Sequence, residues 1–288
     1  MSSMKEIKQR IANVSSTEQI IKAMDIVAST KLQRARAQLE GVRPIYYELK
    51  RLVAEVGDQE EAKTHVFYGE REVRNSLYIV LTSDRGFSGG YNAGILTKAL
   101  AHMNQGKKES ILAVGAKGYE YLRKQGKNII RKIIDLPDTQ VYYGTESIAK
   151  WVIDLYQSGE VEEVFVAYTH FENVLSYVPS VERVLPVVTN IGTRTESHRK
   201  YEPTLATYID HLIPIYLHMN LFRAFSESHT SEQAARMVSM DAAGKNAEQM
   251  IEELTRMYNR KRQAVITQEL SEIVGSTNIL NKGGRHDS

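Results

Sequence analysis

Apolar side chains near the start of the chain recur in alternating steps of three and four: Ile7, Ile11, Val14, Ile21, Ala28, Leu32, Ala35, Leu39, Val42, Tyr46, Leu49 and Val53. That period is the seam of a coiled-coil helix. Two positions of the series are charged, Glu18 and Asp25, so the seam is expected to rotate or face water there, with Ile20, Met24 and Val27 as a neighbouring stripe that takes over. A second helical period runs through Ile251, Leu254, Tyr258, Val265, Ile266, Leu270 and Ile273, in a stretch rich in helix formers whose one weak point is Gly244. At 1.5 Å per residue, residues 5 to 56 predict a rod of about 75 Å and Ile215 to Ile273 one of about 90 Å. Two such helices at opposite ends of one chain can pair only antiparallel, with the middle of the chain as the hairpin.

The middle follows a different rhythm. Short apolar runs at Leu77–Leu81, Ser110–Val114, Asn128–Ile130 and Val164–Tyr168 alternate with helical stretches at Ala93–Met103, Lys117–Gln125 and Thr145–Gln157, and residues 174 to 188 read as a further edge strand. Alternation of that kind predicts an α/β domain with a mainly parallel sheet. The expected architecture is a long antiparallel coiled coil of N- and C-terminal helices plus a central Rossmann-like α/β domain, divided as 1–57, 58–208 and 209–288.

Composition adds little as totals and more as a distribution. The net charge is +2, but residues 1 to 56 hold ten Lys/Arg against six Asp/Glu, a local +4, while the remainder is nearly balanced. The absence of cysteine excludes disulfides, thiol nucleophiles and thiolate metal sites. No apolar run approaches the roughly 18 residues of a membrane span, which predicts a chain that is cytosolic or held at a membrane through partners.

Candidate chemistry is sparse. The loop Ser83-Asp84-Arg85-Gly86-Phe87-Ser88-Gly89-Gly90-Tyr91-Asn92 lies between a strand and a helix, where an α/β domain would bind phosphate. It lacks a following Gly-Lys-Ser/Thr and the dinucleotide glycine spacing, so a tight turn capped by Asp84 is preferred, with Arg85 as an exposed contact residue. Val114 to Gly118 reads as a second plain turn. The histidines give no His-x-x-x-His pair, Glu162-Glu163 and Glu252-Glu253 read as solvated, and Trp151 reads as core. Arg256, Arg260, Lys261 and Arg262 form a basic cluster, and with no nucleic-acid-reading motif an acidic protein surface is the expected partner.

Three blocks carry a family resemblance: Ile7 to Leu32 with Gln19-Ile20-Ile21-Lys22-Ala23-Met24-Asp25, the loop Ser83-Asp84-Arg85-Gly86-x-x-Gly89, and Ser231-Glu232-Gln233-Ala234-Ala235-Arg236-Met237 with Tyr258-Asn259-x-x-Arg262-Gln263-Ala264-x-Ile266-Thr267-Gln268-Glu269-Leu270. Together they resemble the gamma subunit of the F-type ATP synthase, in order along essentially the whole chain. The resemblance implies a non-catalytic central-stalk rotor without cofactor or nucleotide of its own. Its implied partners are the alpha and beta subunits, the epsilon subunit and the c-ring, and its implied location is the cytoplasmic face of a bacterial membrane. Arg262, Gln263, Thr267, Glu269 and Arg85 match positions that contact beta. Met24 and Lys22 match the coupling region, and Tyr201-Glu202-Pro203 resembles the part near the c-ring.

The departures are Ile21 and Gly244 where threonine is usual, Ser88 where many members have cysteine, and Gly275-Ser276-Thr277 where small Gly/Ala residues are common. A cysteine-bearing insert of the chloroplast type is lacking, which points to a bacterial type, and the polar tail from Asn281 is expected to fray. Two rival readings are an α/β nucleotide- or sugar-phosphate-binding enzyme with helical extensions, and a coiled-coil tether between two complexes.

Overall fold

A computed structural model describes residues 3–69, 71–103, 108–188, 201–202 and 204–283, with side chains as far as Val274. Pro203, the side chains of Gly275-Ser276-Thr277, and the tail beyond Gly283 lie outside the described residues. The chain divides into two compact units, Val27–Ser239 and a second made of Met1–Ile26 with Met240–Ser288. Helices α1 (Met4–Gly57) and α5 (Leu205–Gly283) contribute to both.

The larger unit holds a five-stranded sheet of order β3-β2-β1-β4-β5: β1 (Asn75–Leu81), β2 (Lys108–Val114), β3 (Ile129–Ile133), β4 (Glu163–Phe171) and β5 (Tyr177–Leu185). The first four are parallel and β5 runs antiparallel on the edge of β4. Parallel strands need both faces covered, which is why β1 is apolar at nearly every position. Its Tyr78 and Val80 face α2 (Tyr91–Met103) and α3 (Ala116–Lys124), while Leu77, Ile79 and Leu81 face the other way. On that second face α4 (Val141–Gln157) shares one core with Tyr46, Val53 and Val56 of α1 and with Ile209 to Phe225 of α5. Within this unit the two helices run antiparallel: Leu32 clusters with Ala234, Arg43 reaches Glu227, and Tyr46 stacks on Tyr216 at 6.1 Å.

Prolines do not bound these helices. Pro44 lies inside α1, and α5 begins at Leu205 with Pro214 inside it, earlier than the expected start after that proline. An interior proline costs about 3 kcal/mol of helix propensity. Here Val42, Tyr46, Leu212, Ile213, Tyr216 and Leu217 bury apolar surface on either side of the two prolines, and that packing carries the helices through.

The smaller unit is a helix pair with a narrow seam. On α5 the buried or half-buried positions are Met240, Ala243, Gly244, Ala247, Ile251, Leu254, Tyr258, Lys261 and Val265, and from Gly244 they follow strict steps of three and four. The expected rotation of the α1 seam is not observed. Glu18 and Asp25 stay on the half-buried line with Ile11, Val14 and Ile21, whereas Ile20 is 59% exposed and does not take over. At Glu18, Lys22 makes this possible by reaching back at 2.5 Å while its Nζ lies 3.0 Å from Glu248 of α5. Asp25 has no such neighbour among the described residues, and its buried Oδ1 makes no hydrogen bond. Ile266, Leu270 and Ile273, expected to continue the period, are exposed. The reason is length: the Met4–Ile26 part of α1 can face only an equal run of α5, and Ile266 and Leu270 lie past that run.

Candidate functional site

The turn from β2 into α3 is occupied by the chain itself. At the N-terminus of α3, Asp84 Oδ1 accepts from the Ala116 N–H at 2.9 Å, the Ser83 carbonyl from Lys117 N–H at 3.1 Å, and Thr82 Oγ1 from Gly118 N–H at 2.9 Å. These are the donors a phosphate would need. Asp84 is therefore a cap, as expected, but of α3, which follows β2, rather than of its own loop. Gly115 adopts φ +90°, and a Cβ there would lie 2.2 Å from the Thr82 carbonyl oxygen, so only glycine fits. Beyond the ends of β1, β2 and β3 lies a cavity of about 510 Å³, floored by Leu81, Val114 and Ile133 and roofed by Ala35 of α1 and Phe225 of α5.

The Ser83–Asn92 loop leans on α5. Arg236 Nη2 donates to the Gly86 carbonyl at 3.4 Å, and a Cβ on Gly89 would meet Ser239 Oγ at 2.8 Å. This gives the Ser231–Met237 motif a packing role: Ser231, Gln233, Ala234, Ala235 and Arg236 are all buried. At its tip the loop exposes Arg85 and also Phe87, 70% exposed at φ +64°. A bulky residue held in the left-handed region with its ring in water is a strained feature the residue pattern did not single out.

The other expected contact residues belong to the helix-pair unit. Arg262, Gln263, Thr267 and Glu269 are all exposed, with Thr267 Oγ1 donating to the Gln263 carbonyl at 2.9 Å. Around them Ile266, Leu270, Ile273 and Val274 are 47% to 61% exposed. Met24 is half-buried and Lys22 exposed. The Lys22 ammonium is held above its usual range first by its hydrogen bond to Glu18 and then by Glu248.

One expectation about side chains is corrected. Glu163 is not solvated: it opens β4, is buried, and accepts from Ser76 Oγ at 2.6 Å, while Glu162 Oε2 accepts from the Asn75 N–H at 2.7 Å. Trp151 packs against the main core cluster, as expected, but only half-buried, with the Arg131 guanidinium carbon 4.9 Å from its ring centre. Glu252 is exposed, as expected, and Glu253 with it. Among the described residues no group of three His, Asp or Glu side chains is placed to hold a metal, and no helix is long and apolar enough to cross a membrane.

A buried charge cluster in the sheet unit went unread in the sequence. Arg223 of α5 is 4% exposed at its side chain, with its guanidinium carbon 4.3 Å from the Tyr46 ring of α1 and 4.8 Å from the Tyr168 ring of β4. Its Nη2 donates to Glu182 of β5 at 2.7 Å and its Nη1 to the Tyr168 hydroxyl at 2.9 Å. Glu227, fully buried one turn on, receives Arg43 of α1 at 3.3 Å, Arg223 at 3.4 Å and the ring nitrogen of His170 of β4. Burial pushes the Tyr46 and Tyr168 hydroxyls well above the usual tyrosine range. Burial also pulls the Arg223 guanidinium down, but Tyr168, Glu182 and Tyr46 outweigh it and hold the group charged.

Taken together, a mainly parallel sheet whose α3 turn is filled from within and a helix pair that leaves Ile266 and Leu270 of α5 exposed define an α/β protein with a coiled-coil extension. The family model described as ATP synthase matches residues 3–280. The chain is 37% identical to the ATP synthase gamma chain of Desulforamulus reducens over 97% of its length and all of that protein, and 36% identical to that of Alkaliphilus metalliredigens over 96% and 98%. Its fold resembles chains in the Euglena gracilis mitochondrial ATP synthase OSCP/F1/c-ring structure (TM-score 0.72, 18% identity, 99% and 97% covered). It also resembles the central stalk/c-ring structure of Tetrahymena thermophila (TM-score 0.60, 24% identity, 78% and 99% covered). The chain belongs to the ATP synthase gamma chain family, as a central-stalk subunit that carries no catalytic site of its own.

Proposed function

We propose that the chain is the rotor of a bacterial ATP synthase, a peripheral subunit at the cytoplasmic face of the membrane that couples ion-driven rotation of the c-ring to ATP synthesis or hydrolysis. Its partners in this reading are the alpha and beta subunits, the epsilon subunit and the c-ring. The functional division follows the helical ends 1–57 and 209–288 and the middle 58–208. The observation that carries the reading is the exposed stretch Arg262–Val274, a coiled-coil surface that continues beyond its own partner helix and presents apolar and charged groups together. Exposed apolar groups clustered in this way mark a surface for contact with other chains.

One asymmetric helix facing several copies of one subunit gives each copy a different contact, so the copies differ in nucleotide affinity and rotation passes those differences around. Arg262 suits an acidic loop of beta because its planar fork pairs bidentately with carboxylates, with Gln263, Thr267 and Glu269 beside it. Arg85, with the exposed Phe87 ring next to it, offers a second contact. Met24 and Lys22 take the coupling role because a charge in place of the half-buried Met24 would sit against the helix partner.

The test is reconstitution of the ATP synthase with this chain. Replacing Arg262 and Gln263 by alanine is expected to lower ATPase turnover more than replacing Glu146 and Lys150, a local ion pair on the surface of α4. Equal effects would show that the contact surface lies elsewhere. The nucleotide-binding alternative has the turn at Ser83–Asn92 and the cavity beyond β1 to β3 to stand on, and micromolar binding of ATP or a dinucleotide to this chain in isothermal titration would revive it.

A further inference from the structure

Resting on the rotor reading, we propose that Arg223 and Glu227, with Glu182, Arg43 and His170, form the clamp that passes torque between the sheet and the two helices in the sheet unit. Each of the two central charges binds more than one element. Arg223 on α5 is held between Tyr46 of α1 and Tyr168 of β4 and reaches Glu182 of β5. Glu227 on α5 gathers Arg43 of α1 and His170 of β4 on one fully buried carboxylate. Arg43 in turn donates to the Phe171 carbonyl at the end of β4, at 2.6 Å. The β4–β5 hairpin is thus bonded to both helices at a single level.

The physical case rests on direction. Apolar burial is non-directional, so although interdigitated side chains resist sliding, the burial itself sets no preferred angle between two surfaces. Charge-assisted hydrogen bonds weaken steeply when donor and acceptor move off line, and a buried charge that leaves its partner finds no water to replace it. A rotor base must resist sliding, since torque loads the contact between helices and sheet in shear. Stability alone does not call for this arrangement: well-packed apolar residues serve a core at least as well as a buried ion pair. The Arg223 Nε is moreover buried without a hydrogen-bond partner, a penalty a purely stabilising design would avoid. Two arginines face two carboxylates, so the cluster closes on itself without drawing a counterion.

The experiment uses the assembled ATP synthase in inverted membrane vesicles and reads ATP hydrolysis and ATP-driven proton pumping in the same preparation. Arg223→Met keeps volume and removes the fork, and Arg223→Lys keeps the charge but not the geometry. Glu182→Gln removes one arm of the clamp at a partly exposed position and so survives assembly even if the buried variants do not. The expected result is that protons pumped per ATP fall by about threefold in Arg223→Met, within the range by which single residues modulate coupling, and less in Arg223→Lys and Glu182→Gln. Hydrolysis itself stays near the starting rate, which a role confined to stability would not produce. An unchanged pumping-to-hydrolysis ratio in Glu182→Gln and in every assembled Arg223 variant would overturn the clamp and leave the rotor reading intact. Hydrolysis and pumping that proceed equally well without this chain would instead overturn the rotor reading.

Discussion

The same two helices live in two environments. Between Val27 and Ser239 they bury Leu39, Tyr46, Val53, Ile213, Leu217 and Leu221 against a sheet. In the other unit they have only each other, and among the described residues Ile7, Met240 and Ala247 are the only apolar side chains buried. One heptad rhythm runs through both, so the difference comes from what lies beside the helix and not from the helix itself. A two-helix seam covers a narrow stripe, and α1 keeps such a stripe beside the sheet, whereas α5 from Tyr216 to Arg236 is covered nearly all round there.

That contrast is open to direct attack, beginning with the charges. Glu227→Ala in the sheet unit takes the carboxylate from half-buried Arg43 and leaves buried Arg223 with Glu182 alone, and is expected to destabilise by about 3 kcal/mol in denaturant unfolding. Glu248→Gln in the helix-pair unit removes only an exposed contact with Lys22, and no shift of the unfolding midpoint is expected. Comparable losses would mean that the two units are equally dependent on their ion pairs.

Glycine gives the next largest contrast, with opposite signs. Gly115→Ala drives a methyl into the Thr82 backbone at φ +90° and should cost about 2–4 kcal/mol. At Gly244 the same methyl would lie 3.7 Å from Ile21 Cγ2, an ordinary contact, so Gly244→Ala should gain about 1 kcal/mol of helix propensity. Thermal unfolding of the two variants checks both signs, and destabilisation by Gly244→Ala would show that the seam has no room.

Alkaline pH should act through the sheet unit. Burial raises the hydroxyl pKa of Tyr46, Tyr68, Tyr91 and Tyr168 above the ordinary tyrosine value of 10.0. The folded state therefore keeps protons that the unfolded state releases. The associated stability is fully present below pH 10 and is lost as pH rises above it, by about 1.4 kcal/mol per pH unit for each such tyrosine. Absorbance at 295 nm should show these four ionising together with unfolding. Smooth ionisation in a protein that keeps its far-UV circular dichroism would refute the assignment. The smallest effect is expected at Ile266→Ala, whose side chain is already 47% exposed and which should leave stability unchanged while weakening assembly with the partner chains.

Much of this was legible in the residues. The alternating three-and-four spacing marks the seam through Val53, and apolar runs followed by helical stretches place β1, β2, β4 and α2 to α4 within a few residues. Asp84 reads as a cap because a short carboxylate beside glycines at a strand end has little else to do. Glu163 was misread because nothing local distinguishes a carboxylate at a turn from one that a neighbouring strand's Ser76 will bury. Arg223, Glu227 and His170 gave no signal at all: they are one turn apart on a helix or tens of residues away on a strand, and only the packing of α5 on β4 brings them together.

The chain by itself determines two helices of coiled-coil period around an α/β middle, because periodicity is a local property that sets which face of each element is apolar. It also determines that no phosphate motif stands in the turns. Tertiary structure alone decided where the helices bury a face and where they expose it, because burial depends on what else is present at that level of the fold. It decided that α5 outruns α1 and that two prolines are carried inside helices, since packing outweighs a local penalty of about 3 kcal/mol. It also closed Arg223 and Glu227 into one buried cluster, because the partners of a charge are chosen in space and not along the chain.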